Sequence, residues 1–220
     1  MSDLPTLLLP TPETLFPAPG PHPNGMQATD AGLWVLDQAE NHLHLISYDG
    51  RILRDLATSS DRGSGVTMGN GELWVASTYS CELLRIDAQT GATLASYPSP
   101  GAGKTGSHGL EWRDGKLWVA TPPSATVYQL DPADGCRILH SFPAPGNRPH
   151  GIAWHGDNLW CVETNHRAIY LMDTTSGALK LKLALPDDAP EPHGMTVWDG
   201  AFWYCDASTR IICRVAVPSL

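Results

Sequence analysis

Basic residues are scarce in this chain: 14 Lys and Arg stand against 23 Asp and Glu, a formal charge of −9. That balance repels phosphate polymers and anionic lipid on average, and no local basic cluster offsets it, so neither nucleic acid nor a membrane surface is expected as a partner. Long apolar runs are missing as well, and nothing approaches the ~20 residues of a membrane span. The first nine residues carry Asp3, no Lys or Arg and one three-leucine run, and so lack both the basic and the apolar region of a secretory signal. The five cysteines, Cys81, Cys136, Cys161, Cys205 and Cys213, are odd in number and show no CxxC spacing. Free thiols in a reducing compartment are expected, and hence a cytoplasmic protein.

What the chain does have is punctuation. There are 21 Gly and 19 Pro among 220 residues, 42% of the chain is hydrophobic and eight residues are Trp. This suits many short strands joined by tight turns, organised as one domain over residues 1–220. One phrase recurs five times: GLWVLD (Gly32 to Asp37), ELWVAS (Glu72 to Ser77), KLWVAT (Lys116 to Thr121), NLWCVE (Asn158 to Glu163) and AFWYCD (Ala201 to Asp206). Upstream of each lies a glycine followed by an apolar residue, at Gly25, Gly65, Gly109, Gly151 and Gly194, spaced 40, 44, 42 and 43 residues apart. Between these landmarks sit Asn70-Gly71, Asp114-Gly115, Gly156-Asp157 and Asp199-Gly200. Such dipeptides make two-residue hairpin turns because they tolerate positive φ.

Each unit therefore opens with a hairpin and continues through two further alternating runs, which makes a four-stranded antiparallel blade. The last unit lacks a fourth strand, and the N-terminus offers one, since Leu15 to Gly20 copies Ser141 to Gly146. The expected fold is all-β, a five-bladed β-propeller closed by the N-terminal strand on the last blade, which removes a sheet edge. The periodic Trp residues are expected to pack between blades.

A two-residue turn pairs positions of constant sum. On that rule His150 lies opposite Glu163, His193 opposite Asp206, His108 opposite Thr121, Ser64 opposite Ser77 and Asn24 opposite Asp37, all at one mouth of the channel. Three imidazoles beside carboxylates suit a divalent cation, so His108, His150, His193 and Glu163 are expected to bind a metal, with Mg, Mn, Zn and Fe undistinguished. Two alternatives stay open: the carboxylates fix imidazole tautomers, or the histidines only cap the inner strands. The rim residues Arg62 and Arg148, with nearby Lys104, are expected to attract an anionic or carbonyl-bearing small molecule, and Asn24 and Asp37 to contact it. His42 and His44 share one face of a third strand and read as surface residues.

Arg148-Pro149-His150-Gly151-Ile152 and Glu191-Pro192-His193-Gly194-Met195, each followed by a Trp-centred strand, resemble the virginiamycin B lyase (streptogramin lyase) family. The resemblance implies a propeller enzyme that opens a cyclic depsipeptide by elimination, aided by Mg²⁺. It implies catalytic roles for His150, Glu191, His193 and Asp206, the last standing where the family has Glu. That family has seven blades and this chain has five units. The resulting expectation is a metal-dependent lyase that removes a proton next to a carbonyl, with a non-catalytic binding propeller or a metal-assisted hydrolase or isomerase as alternatives.

Overall fold

The computed structural model describes residues 4–219. Every repeat becomes a sheet of four antiparallel strands, and the five sheets form the ring that the period predicts. The innermost strands are Pro23–Thr29, Gly65–Gly69, Gly109–Arg113, Pro149–His155 and Met195–Trp198, and each turns back into its Trp-bearing strand. The expected two-residue turns are present: Asn70 and Gly71 take φ of 53° and 81°, and Asp114 and Gly115 take 52° and 73°.

The ring closes as expected. Glu13–Pro17 pairs antiparallel with Ile211–Ala216 and supplies the outer strand of the last blade. One element was not foreseen: Thr6–Leu8 adds in parallel to Leu179–Ala184, so the N-terminal segment ties the fourth blade to the fifth. Among the described residues no helix is long and apolar enough to cross a membrane.

The alternation of each strand sends one face to the preceding blade and the other to the next, and five apolar clusters fill the five interfaces. The repeated Trp34, Trp74, Trp118, Trp160 and Trp203 are all buried, as expected of packing residues. All five cysteines are free thiols, and Cys161, Cys205 and Cys213 are buried.

Five blades leave almost no room at the axis, and this explains the periodic glycines. A Cβ on Gly65 would lie 2.0 Å from the His108 carbonyl oxygen, and one on Gly109 would lie 2.0 Å from that of His150. Gly194 meets the Asn24 carbonyl in the same way, at 2.5 Å. Each inner strand thus leans on the backbone of its neighbour, and the waist of the channel shrinks to a void of ≈ 10 Å³ among these glycines. The mouth above it is a blind well.

Candidate active site

The constant-sum register holds along the hairpins but breaks at the open ends of the first and the fourth. A β-bulge places Pro149, not His150, opposite Glu163, and Pro23, not Asn24, opposite Asp37. A bulge adds one residue to a strand and re-aims its side chain. His150 therefore turns into the well, where His108 and His193 also lie, while Glu163 and Asp37 turn to the loops.

There the carboxylates hold backbone. Glu163 Oε1 accepts from the amides of Arg148 (2.8 Å) and Asn147 (3.2 Å), and its Oε2 accepts from His166 (2.7 Å). Asp206 binds the amides of Glu191 (2.8 Å), Ser208 (2.7 Å) and Thr209 (3.0 Å). Asp37 does the same for His22, Ala39 and Glu40. Burial works to raise the Asp206 pKa, but the amides of Thr209, Glu191 and Ser208 outweigh it and hold the group below its ordinary value. The repeated Phe-Pro-Ala-Pro-Gly segments belong to this clamp, since a Cβ on Gly20 or Gly146 would strike the carboxylate of Asp37 or Glu163. The geometry thus gives all three carboxylates to backbone amides: Glu163 holds the Asn147–Arg148 segment, Asp37 is fully buried against the His22 amide and its own turn, and Asp206 braces the Glu191 loop.

The three imidazoles do come together. Ring centroids of His108 and His150 lie 4.5 Å apart, and those of His150 and His193 lie 5.0 Å apart. Their protonation follows from their partners. Thr164 Oγ1 donates its single hydrogen to the Pro192 carbonyl (2.9 Å), so it accepts from His150 Nδ1 (2.8 Å). His193 Nδ1 faces the Glu191 carbonyl oxygen at 3.3 Å, which only accepts. Both rings thus carry hydrogen on Nδ1 and present a lone pair at Nε2. For His193 that lone pair meets the Arg148 guanidinium (Nη2, 3.4 Å), with Glu191 Oε1 3.5 Å away.

All three rings are held neutral. Burial is the largest cause of each lowered pKa, and His108 falls to about 4 as Arg148 and His193 add to it. For His193 the Glu191 carbonyl and carboxylate work against the shift, while Arg148 supports it.

A metal fits this arrangement poorly. Mg²⁺ prefers oxygen donors, and the carboxylates expected to supply them are occupied by backbone amides. The imidazoles do not close on one ion either: among the described residues, the group whose donor atoms all lie within 4.8 Å of one another is His42, His44 and Asp55. The Arg148 guanidinium also stands against His193 Nε2, where a cation would have to bind.

The well has a volume of ≈ 280 Å³ and is lined by Asn24, His108, Arg148, His150, Glu191 and His193, together with Gln38, Tyr79 and others. Asn24 is buried there with an unpartnered Oδ1. Arg62 lies outside the well, 4.9 Å above the Tyr79 ring, and lines a shallower groove of ≈ 400 Å³ beside it. Lys104 lines neither. Sequence reasoning missed Gln38, Thr78 and Thr164. Each directly follows the clamp position and bonds the loop of the next blade, through Gln38 to Ser64, Thr78 to Ser107 and Thr164 to Pro192. Polar residues at one repeat offset were the signal.

Residues 15–219 match the Virginiamycin B lyase family. A streptogramin B lyase structure has 21% identity and a TM-score of 0.59, with 94% of this chain and 73% of that chain covered. A catalytically inactive virginiamycin B lyase from Staphylococcus aureus, solved with quinupristin, has 21% identity and a TM-score of 0.60 over 92% of this chain and 69% of that one. Glutaminyl cyclase from Myxococcus xanthus shares 10% identity with a TM-score of 0.80, over 98% of this chain and 100% of that chain. No curated protein matches.

Proposed function

Since the chain belongs to the virginiamycin B lyase family, we propose that the blind well is the active site of a lyase acting on a small carbonyl compound. The observation that carries the reading is the fixed tautomer of two neutral imidazoles, His150 and His193, which leaves Nε2 of each without a hydrogen, with the Arg148 guanidinium 3.4 Å from that of His193. A neutral imidazole is the side chain best suited to take a proton near pH 7.

In this reading His193 Nε2 removes the proton next to the substrate carbonyl. The electron pair moves toward the carbonyl oxygen, where Arg148 stabilises the developing enolate charge. Collapse of the enolate forms the new C=C bond and breaks the bond to the leaving group, which takes back the proton held by the His193 imidazolium and so restores the neutral base. Glu191, 3.7 Å from Arg148 Nη1, holds the guanidinium and the imidazole in register. Asp206 acts one step further back, by fixing the loop that carries Glu191. The well encloses only a small molecule or one end of a larger one.

The similarity of the ring to that of a glutaminyl cyclase, over 98% of this chain, supports one second reading, in which the same base and cation promote cyclisation of an N-terminal glutaminyl substrate with loss of ammonia. The deciding experiment screens streptogramin-type depsipeptides, smaller β-substituted carbonyl compounds and glutaminyl peptides with the wild type and His193→Ala. Elimination products that appear with the wild type and vanish with the variant support the lyase. Turnover confined to glutaminyl peptides replaces it with the cyclase, and turnover undiminished in the variant removes both.

A further inference from the structure

On the outer half of the first blade, His42, His44 and Asp55 bring three metal-ligating atoms within 4.8 Å of one another. His42 and His44 lie two apart on the strand His42–Ile46 and so share a face, and Asp55 sits directly opposite His44 on Ile52–Ala57. His42 Nδ1 is 2.7 Å and His44 Nδ1 is 3.4 Å from the same oxygen, Asp55 Oδ1. The expectation that both histidines are surface residues fails for His44. It is 5% exposed, and neither of its ring nitrogens has a hydrogen-bond partner. A buried polar ring without a partner is costly, which asks for something to complete it.

The sister blades serve as internal controls. At the repeat position of His44 they carry Leu84, Tyr128, Tyr170 and Cys213, each opposite the central residue of its Trp strand. At the position of Asp55 they carry Ser96, Ser141, Lys182 and Thr14. The blade architecture therefore needs neither an imidazole nor a carboxylate at these positions. The first blade alone combines them.

We propose that His42, His44 and Asp55 form a binding site for a divalent transition-metal ion of the Zn²⁺ class, with a fourth position open to solvent. Two imidazoles and one carboxylate are a donor set suited to such an ion. Metal–ligand bonds of ~2.0–2.1 Å in a tetrahedron place donor atoms about 3.3 Å apart. The His44–Asp55 separation already matches, and the His42–Asp55 contact has to open slightly. It is free to do so, because the side chains of His42 and Asp55 are 34% and 51% exposed. The site shares no residue with the blind well.

Metal-free protein titrated with Zn²⁺ by calorimetry, and with Co²⁺ by visible absorption, tests the proposal in the wild type, His44→Leu, His42→Thr and Asp55→Ser. Each variant carries the residue of a sister blade, Leu84, Ser96 or, at the position of His42, Thr126 opposite Thr121, so the fold is expected to survive, as circular dichroism would verify; should His44→Leu misfold, the exposed Asp55→Ser decides. The wild type is expected to bind one equivalent, with the intense Co²⁺ bands of four-coordination, that the variants lose at least tenfold in affinity. His193→Ala is expected to retain it. No binding by the wild type at micromolar Zn²⁺, unchanged binding in His44→Leu and Asp55→Ser, or loss only in His193→Ala would overturn it.

Discussion

Thr164 settles which nitrogen of His150 carries the proton, because its own hydroxyl hydrogen is committed to the Pro192 carbonyl. Its position in the repeat, directly after the clamp residue Glu163, places it between two blades where it touches both. Thr164→Val keeps the shape and removes the acceptor. We expect kcat to fall about tenfold with KM little changed, nitrogen chemical shifts of His150 to show mixed tautomers, and Thr164→Ser to restore both. An unchanged tautomer in the Val variant would remove Thr164 from the site's machinery.

His193→Ala is expected to lower kcat by ~10²–10⁴, the usual worth of a positioned general base. The melting temperature should move by only a few degrees, since the ring's polar contacts are with Arg148 and Glu191 rather than with an apolar cluster between blades. Kinetics and calorimetry on one preparation check both halves. Full activity on the true substrate would end the lyase reading.

Glu163→Gln separates a loop clamp from a metal ligand. The amide oxygen can replace one carboxylate oxygen, but the NH₂ then faces a backbone donor, either the pair at Asn147 and Arg148 or the amide of His166. Leaving a buried group unpaired costs ~1–3 kcal/mol. A lower urea midpoint in metal-free buffer is the expected result, and equal midpoints would return Glu163 to the candidate ligands.

Gly109→Ala should prevent folding or lower stability by several times the effect of Gly115→Ala. At Gly109 the added methyl meets the His150 carbonyl, whereas at Gly115 it meets nothing within 4 Å and only the positive φ opposes it. That backbone penalty is about 1–2 kcal/mol. Similar midpoints for the two variants in chemical denaturation would contradict the tight axis.

Two opposing pH effects follow from buried groups. The folded chain keeps His108 neutral down to about pH 4, while the unfolded chain takes up that proton near 6.5. Stability therefore falls as pH drops through this window. Glu111 behaves oppositely: burial raises its pKa to about 7 from 4.5, against the pull of the Trp112 and Trp154 amides and Thr67. The unfolded chain then releases its proton first, and stability falls as pH rises from 4.5 to 7. Glu111→Gln should be more stable than the wild type at pH 8 and nearly equal at pH 4, with a steeper acid-side loss in the denaturation profile.

Blade count, hairpin turns and ring closure were legible in the linear sequence because they depend on local periodicity: a Trp phrase, a turn dipeptide and a glycine recurring every 40 to 44 residues. The same periodicity placed His108, His150 and His193 at one mouth, and the structure brings them there. It misassigned their neighbours. A constant-sum register assumes an uninterrupted ladder, whereas the first and fourth hairpins carry a bulge at the open end, so that Pro23 and Pro149 face Asp37 and Glu163 and the two carboxylates go to loop amides, an arrangement set by the tertiary structure rather than by the local pattern. The extra strand Thr6–Leu8 and the burial of His44 were hidden for the same reason. Both depend on which blade lies alongside, a fact settled in three dimensions by the closing of the ring.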